Sequence, residues 1–217
     1  MTHYLKNSIL GVMLFLAIGS AQGQDWSGTV YKYNEIHPGY IVSMGGDTTR
    51  GYLEFGNRTA NQKSCIFYTD ASKKDKKKYS ADDISAYGVA DKHYRSIHFT
   101  GGLTAKPLGF VLLVKPGRLA QYVYYSKKDG VSDFMGKNET YADYDARVNQ
   151  DEVVWQKLDE KPIQQGEFLL GFSKKMAKIT EDHPELSEKV ANKEKGYGLM
   201  NIYAIADEYN AWWAKKK

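Results

Sequence analysis

A single cysteine, Cys65, is the scarcest chemistry in this 217-residue chain, and its solitude excludes any internal disulfide. Stability therefore comes from buried apolar area, which a chain of this length can supply. Cys65 sits in the strand-like run Ser64-Cys65-Ile66-Phe67-Tyr68. We expect a small buried side chain there, since a nucleophile would need a neighbouring base and a depressed pKa. Charge of one sign is also lacking. Lys and Arg number 30 against 26 Asp and Glu, a formal net charge of +4, and without a matching motif so mild an excess does not point to nucleic acid. Metal and catalytic signatures are missing too. His37, His93, His98 and His183 show no His-Glu-x-x-His or other close ligand spacing, so no metal is expected. His93 and His98, five apart in an extended run, fall on opposite faces. There is no Gly-x-Ser-x-Gly elbow, no Ser-x-x-Lys with partners, no phosphate-binding loop and no dinucleotide fingerprint, so no cofactor is expected. Glu54, Asp70, Asp143, Asp145 and Glu152 are all eligible as a glycosidase pair, and none is singled out.

What is present begins with a leader. Met1 to Gly23 has a weakly positive front at Lys6, an apolar run from Ile9 to Ile18 and a small-residue exit at Ala21 and Gly23, the pattern of a secretory signal cut before Gln24. The run is half the roughly 20 residues that a spanning helix needs. No cysteine follows it for lipid attachment, and no later stretch is long and apolar enough to cross a bilayer. Removal of 23 residues leaves 194 with a formal charge of +3, because Lys6 is the only charge lost.

The mature chain changes period once. Gly39 to Met44 and Thr49 to Phe55 flank Gly45-Gly46-Asp47 as a hairpin. Ser64 to Tyr68 is a third strand, and the lysine-rich stretch from Ala71 to Lys78 is the tip before a return at Tyr79. Ser80 to Asp83 reads as a one-turn helix start, with Ser80 as cap and carboxylates in the first turn. Tyr94 to Phe99, Gly109 to Val114, Leu119 to Tyr125 and a short Val153-Val154-Trp155 continue the strands. Residues 137 to 151 are polar and without period, and we expect a loop. From Glu167 the spacing turns helical: Phe168, Phe172, Met176 and Ile179, then a restart at Pro184, then a stripe of Leu199, Ile202, Tyr203, Ala206, Tyr209 and Trp213. The predicted class is α+β: a 1–23 signal peptide, an antiparallel β portion at 24–158 (curved sheet, sandwich or barrel-like), and a C-terminal three-helix portion at 159–217 packed on it.

Two surface features stand out. The chain has 17 tyrosines, many on strands, where they serve either half-buried packing or an aromatic contact surface. Tyr94, Tyr122 and Tyr124 are the candidate platform for a glycan or protein, with Tyr122 and Tyr124 on one face. Lys73, Lys74, Lys76, Lys77 and Lys78 form a block that is either a solvated turn or a contact for an anionic surface.

The segments Gly39-Tyr40-Ile41, Gly46-Asp47-Thr48 and Gly51-Tyr52-Leu53, then Tyr79 to Ile84, then Asp182-His183-Pro184-Glu185-Leu186 and Tyr209-Asn210 resemble those of exported proteins of unknown function from Bacteroidetes-type bacteria. His183 departs from that pattern, in which cysteine is frequent. The resemblance implies an envelope or secreted location and carries no activity. Taken together, the expectation is a periplasmic or extracellular non-catalytic binding or scaffold protein, with an envelope protein or glycan as partner. The alternative is a hydrolase of envelope or extracellular polymers acting through carboxylates the sequence does not identify.

Overall fold

Alternation of apolar side chains along extended segments is what builds the core. Pairing carries Ile41 to Tyr87, Tyr87 to Tyr94 and Tyr94 to Leu112, while Leu53 meets Phe67. Directly paired residues share a sheet face, so these side chains form one continuous buried cluster with Cys65, Val89 and Phe110. The computed structural model describes residues 31–97, 109–128, 130–132, 134–158 and 160–216. The leader at 1–23, the stretch to residue 30, and His98 and Phe99 lie outside the described residues.

Among the described residues the order is β1 (Ile36–Ser43), β2 (Thr48–Glu54), α1 (Arg58–Lys63), β3 (Ser64–Tyr68), β4 (Lys77–Ser80), β5 (Ile84–Val89), β6 (Lys92–Ile97), β7 (Gly109–Lys115) and β8 (Leu119–Lys127), followed by α2 (Tyr141–Val148), β9 (Asn149–Lys157), β10 (Ile163–Gln164), α3 (Phe172–Ile179), α4 (Pro184–Ala191) and α5 (Ile202–Ala214). Two 3-10 turns, Gln165–Leu169 and Leu199–Asn201, precede α3 and α5. The ten strands form one antiparallel sheet in the order β10-β9-β8-β7-β6-β5-β1-β2-β3-β4. Among the described residues it is an open sheet, neither a two-sheet sandwich nor a closed barrel, and its edges are β10 and β4.

The sheet curls strongly. Helix α1 packs on β3, its neighbour in the chain, and also on β7 and β8. Five strands separate β3 from β8, so a flat sheet would hold them roughly 29 Å apart at the usual strand spacing. One helix about 10 Å wide reaches both only because the sheet wraps around it. Close approach at the bend requires glycine: a Cβ on Gly39 would overlap the Gly88 carbonyl oxygen. Gly39 itself pairs with Gly51. The β1–β2 turn likewise needs Gly46, at φ +94°.

Helix α1 is pinned by its own polar side chains. Asn57 caps it by accepting from the Ala60 N–H at 2.8 Å. Gln62 Nε2 donates to the Tyr125 carbonyl at 2.8 Å, and the Tyr125 N–H donates back to Gln62 Oε1. Asn61 accepts at its carbonyl from the Tyr87 hydroxyl at 2.6 Å and donates from Nδ2 to the Tyr94 hydroxyl at 3.1 Å.

At the other end of the same face, Leu119 and Trp155 are buried with Phe168, Met176, Leu186, Ile202, Ile205 and Tyr209 from the C-terminal helices. The joint is polar as well as apolar. Asp182 Oδ1 accepts from Tyr209 Oη at 2.6 Å and from Lys157 Nζ at 3.3 Å, while Oδ2 accepts from Arg118 at 3.4 Å. Asn210 takes the Leu119 N–H and donates to its carbonyl, at 2.9 and 3.0 Å.

Four expectations change. Ser80 to Asp83 is a turn and not a helix start: Asp83 Oδ2 accepts from the Ser80 N–H and hydroxyl, both at 2.7 Å, and β5 begins at Ile84. The polar stretch 137–151 contains α2, whose start is fixed by Thr140. Its hydroxyl accepts from the Asp143 N–H at 3.2 Å and donates to the Asp143 carboxylate at 2.6 Å. Strand β9 is nine residues long, well beyond the short 153–155 strand, and β10 carries the sheet past residue 158. In the last helix, Ile205 joins the buried side while Tyr203 turns outward, 38% exposed.

Candidate binding groove

Strand β9 outruns its neighbour. Its nine residues face only two in β10, with Ile163 opposite Trp155 and Gln164 opposite Val154. After Gln164 the chain leaves the sheet edge in a 3-10 turn, because the Gln164 N–H is captured by Glu167 Oε1 at 3.0 Å. The space so opened is a groove of about 490 Å³. Its floor is Asp151, Glu152 and Val153 of β9, one wall is Gln164, Gln165, Gly166 and Leu169, and the other is Leu199, Met200, Ile202 and Tyr203. That volume lies in the range of ligand sites. A second hollow, about 220 Å³ between Tyr33, Glu54 and the start of α1, is less than half as large.

The groove has an apolar lip and one oriented amide. Leu169, 74% exposed, and Met200, 92% exposed, both line it. Large aliphatic side chains so fully exposed and so close together mark an interaction surface more often than a bare exterior. Trp155 Nε1–H donates to Gln165 Oε1 at 3.3 Å, and the Tyr203 hydroxyl donates to the same oxygen at 3.2 Å. Indole nitrogen can only donate, so the amide oxygen faces Trp155 and the Gln165 NH₂ faces away from it. Tyr203 packs against Trp155 with ring centroids 5.5 Å apart.

The two carboxylates on the floor do not converge. Asp151 is paired with Tyr125 and lies 3.8 Å from the Arg58 guanidinium, on the α1 side of the sheet. Glu152 is paired with Tyr124 on the other face, where its charge and burial raise the Tyr124 phenol above its ordinary pKa, burial being the larger cause. Consecutive strand residues point to opposite faces, so this site offers no two-carboxylate arrangement toward one bond. Among the described residues, no group of three or more His, Cys, Asp or Glu is placed to hold a metal ion, and no helix is long and apolar enough to cross a membrane.

Of the three tyrosines read as a platform, Tyr122 and Tyr124 share one sheet face and Tyr94 lies on the other. Tyr94 is 4% exposed and stacks on Tyr87 with centroids 4.6 Å apart, inside the α1-side core. Tyr122 is also 4% exposed, packed with Val111 and Val154 on the opposite face. Tyr124 shares that face and is half-buried. Two of the three rings therefore present almost nothing to solvent. The five lysines are all exposed. Lys73 lies in the β3–β4 turn at φ 61°, while Lys77 and Lys78 stand opposite Phe67 and Ile66 and so point to different faces of β4. Because β4 is a sheet edge, lysines there also discourage pairing with another chain. Cys65 is buried, and burial pushes its thiol up to about 12. His93 accepts or donates at Nδ1 with the Tyr40 hydroxyl, 2.9 Å away on the surface. His183 stacks on Trp212, with centroids 4.3 Å apart.

The groove residues were not singled out from sequence. Leu199 and Tyr203 read as core because they fit helical spacing, and Leu169-Leu170 follow Phe168 directly. The one local signal was the glycine after each apolar pair or before it, Gly171 and Gly198, where a chain leaves regular structure. Comparisons with protein-family models, curated proteins and solved structures find no match to this chain.

Proposed function

We propose that this chain is an exported, non-catalytic binding protein of the cell envelope, and that the groove beside β9 and β10 is where it holds its partner. The observation that carries the reading is the exposure of Leu169 and Met200 on a groove of about 490 Å³. Those side chains gain by leaving water, at about 25 cal/mol per Å² of apolar surface covered. On this reading α3, α4 and α5 act as one three-helix portion, and the start of α5 supplies the groove's far wall. The leader pattern at Met1 to Gly23 and the similarity of the Gly39, Tyr79 and Asp182 segments to exported Bacteroidetes-type proteins support the envelope location. A hydrolase working through paired carboxylates would need both facing one substrate, and the divergence of Asp151 and Glu152 gives that alternative no support in the groove.

The test is affinity capture from a cell-envelope fraction with the mature chain from Gln24, run beside a Met200→Glu variant. A partner or glycan retained by the first and lost by the second is the expected result. Recovery of nothing above background by the unaltered chain counts against the reading.

A further inference from the structure

Away from the groove, the convex face of β1, β2, β5 and β6 carries a row of side chains built across the strands. Ile41 and Tyr87 lie in the α1-side core, and consecutive strand residues point to opposite faces, so Tyr40 and Gly88 belong to the outer face. Pairing runs from Arg50 to Tyr40, from Tyr40 to Gly88 and from Gly88 to His93, one row over four strands. The Tyr40 ring lies down across Gly88, where a Cβ would overlap it. Its hydroxyl thereby reaches His93 Nδ1 at 2.9 Å, with ring centroids 5.9 Å apart. Covering a glycine is a structural use of an aromatic ring; neither the bond to His93 nor the cation beside the ring is needed for that. Arg50 is exposed, and among the described residues no acid pairs with it. Its charge works against the rise that burial gives the Tyr40 phenol. Tyr52, half-buried and opposite Pro38, stands diagonally beside Tyr40, within the reach of aromatic side chains. Carboxylates are scarce here. β1, β2, β5 and β6 contain one, Glu54, and the Tyr68 hydroxyl donates to it at 3.1 Å. Asp91, in the turn before β6, is met by Lys92 at 2.6 Å.

We infer that this row is a second binding surface, which takes an acidic polysaccharide by its carboxylate groups and its ring faces. It is separate from the groove, since four strands lie between β1 and β9. Arg50 presents a planar fork of donors that fits a carboxylate in two parallel hydrogen bonds. Tyr40 and Tyr52 offer flat, rigid rings at little cost in side-chain entropy, and the C–H face of a pyranose packs on such rings. His93, exposed and held at Nδ1 by Tyr40, keeps Nε2 for a sugar hydroxyl. An uncharged glycan would leave Arg50 unanswered. An acidic protein would answer it, but none of the large exposed aliphatic side chains lies on these strands, and the centre of a protein interface is apolar. From β2 to β6 the row crosses three strand spacings, roughly 14 Å, which suits a chain of sugars laid across the strands.

The experiment titrates oligomers of galacturonate and of glucuronate into the mature chain from Gln24, read by calorimetry. At least one should bind, and its methyl ester, which keeps the sugar and loses the charge, should bind at least about tenfold more weakly. Arg50→Ala should cost a similar factor, and Arg50→Lys should fall between, because lysine keeps the charge without the fork. Gly88→Ala keeps every contacting group but displaces the Tyr40 ring, and should weaken binding at least about threefold. Tyr52→Ala removes a ring at a half-buried surface position and should do the same, so the ring contribution is read even if Gly88→Ala does not fold. Polyglutamate of matched charge, the stand-in for an acidic protein, should bind at least about tenfold more weakly than the oligomer. No binding of either oligomer, equal binding of the ester or of polyglutamate, or an Arg50→Ala variant that binds as well as the unaltered chain each overturns the inference. So does loss of the oligomer on Met200→Glu, which would return the glycan to the groove. Arg50→Ala should leave capture of the groove's partner unchanged, so the two surfaces stand or fall separately.

Discussion

Asp182 answers for two cations and a phenol. Burial works against its charge, but hydrogen bonds from Tyr209 and Lys157 outweigh that and hold the carboxyl below its ordinary value. Lys157 is itself buried and is met by Asp182, the exposed Glu160, the Ile179 carbonyl and the face of the Tyr209 ring. Removing the charge leaves an ammonium in the joint without its nearest counter-ion, and breaking such a pair costs about 3 kcal/mol. Asp182→Asn should lower unfolding free energy by about that amount in urea titrations at neutral pH. A carboxyl whose folded pKa is depressed contributes stability above its unfolded value, about 3.9, and loses it as pH falls through the folded one. The unaltered protein should therefore weaken as pH drops below about 4, and Asp182→Asn should flatten that limb. A second carboxylate makes a purely local prediction. Two hydrogen bonds from Arg147, at 2.6 and 2.9 Å, and one from the Gly136 N–H at 2.9 Å hold Glu139 down at about 2. Lysine cannot make the paired contact, so Arg147→Lys should raise the Glu139 midpoint in a carboxyl NMR titration.

Helix α1 is six residues long, too short to be stable by propensity, and it holds by what it touches. Gln62→Ala removes both hydrogen bonds that this side chain makes to the buried Tyr125 backbone, a cost of about 2 to 4 kcal/mol. Faster amide exchange at Tyr125, with the far end of the sheet unchanged, is the expected signature. The same element shows why some of the architecture was legible and some was not. Strand alternation is local, so β1 to β3 and β6 to β8 could be read directly from residues such as Tyr40, Leu53 and Val123. Short helices leave little periodicity, and Asn57 and Thr140 announced α1 and α2 only through their caps. Which face of Tyr94 or Tyr122 would be covered depends on the register of distant strands, and no spacing within one strand reveals it. The groove is the extreme case. It joins the middle of β9, the end of β10 and the start of α5, and apolar residues such as Met200 look the same in sequence whether they meet core or water.

The whole molecule depends on contacts between distant parts of the chain. Leu119 and Trp155 are covered by helices that begin after Gln164, so a chain cut there would expose the β8–β9 core. Gly39 and Gly51 pair where β1 and β2 meet, and Asp182, Tyr209 and Asn210 tie the helical end to β8 and β9. The buried thiol of β3 has a practical consequence. At neutral pH almost none of Cys65 is ionised, and only thiolate reacts quickly with disulfide reagents. Modification by Ellman's reagent should therefore wait for the sheet to open, and its rate should climb with urea along the same slope as global unfolding. A fast reaction in native buffer would reveal a smaller opening near β3. With one sulfhydryl and no others to confuse the signal, the protein carries its own clock for spontaneous unfolding.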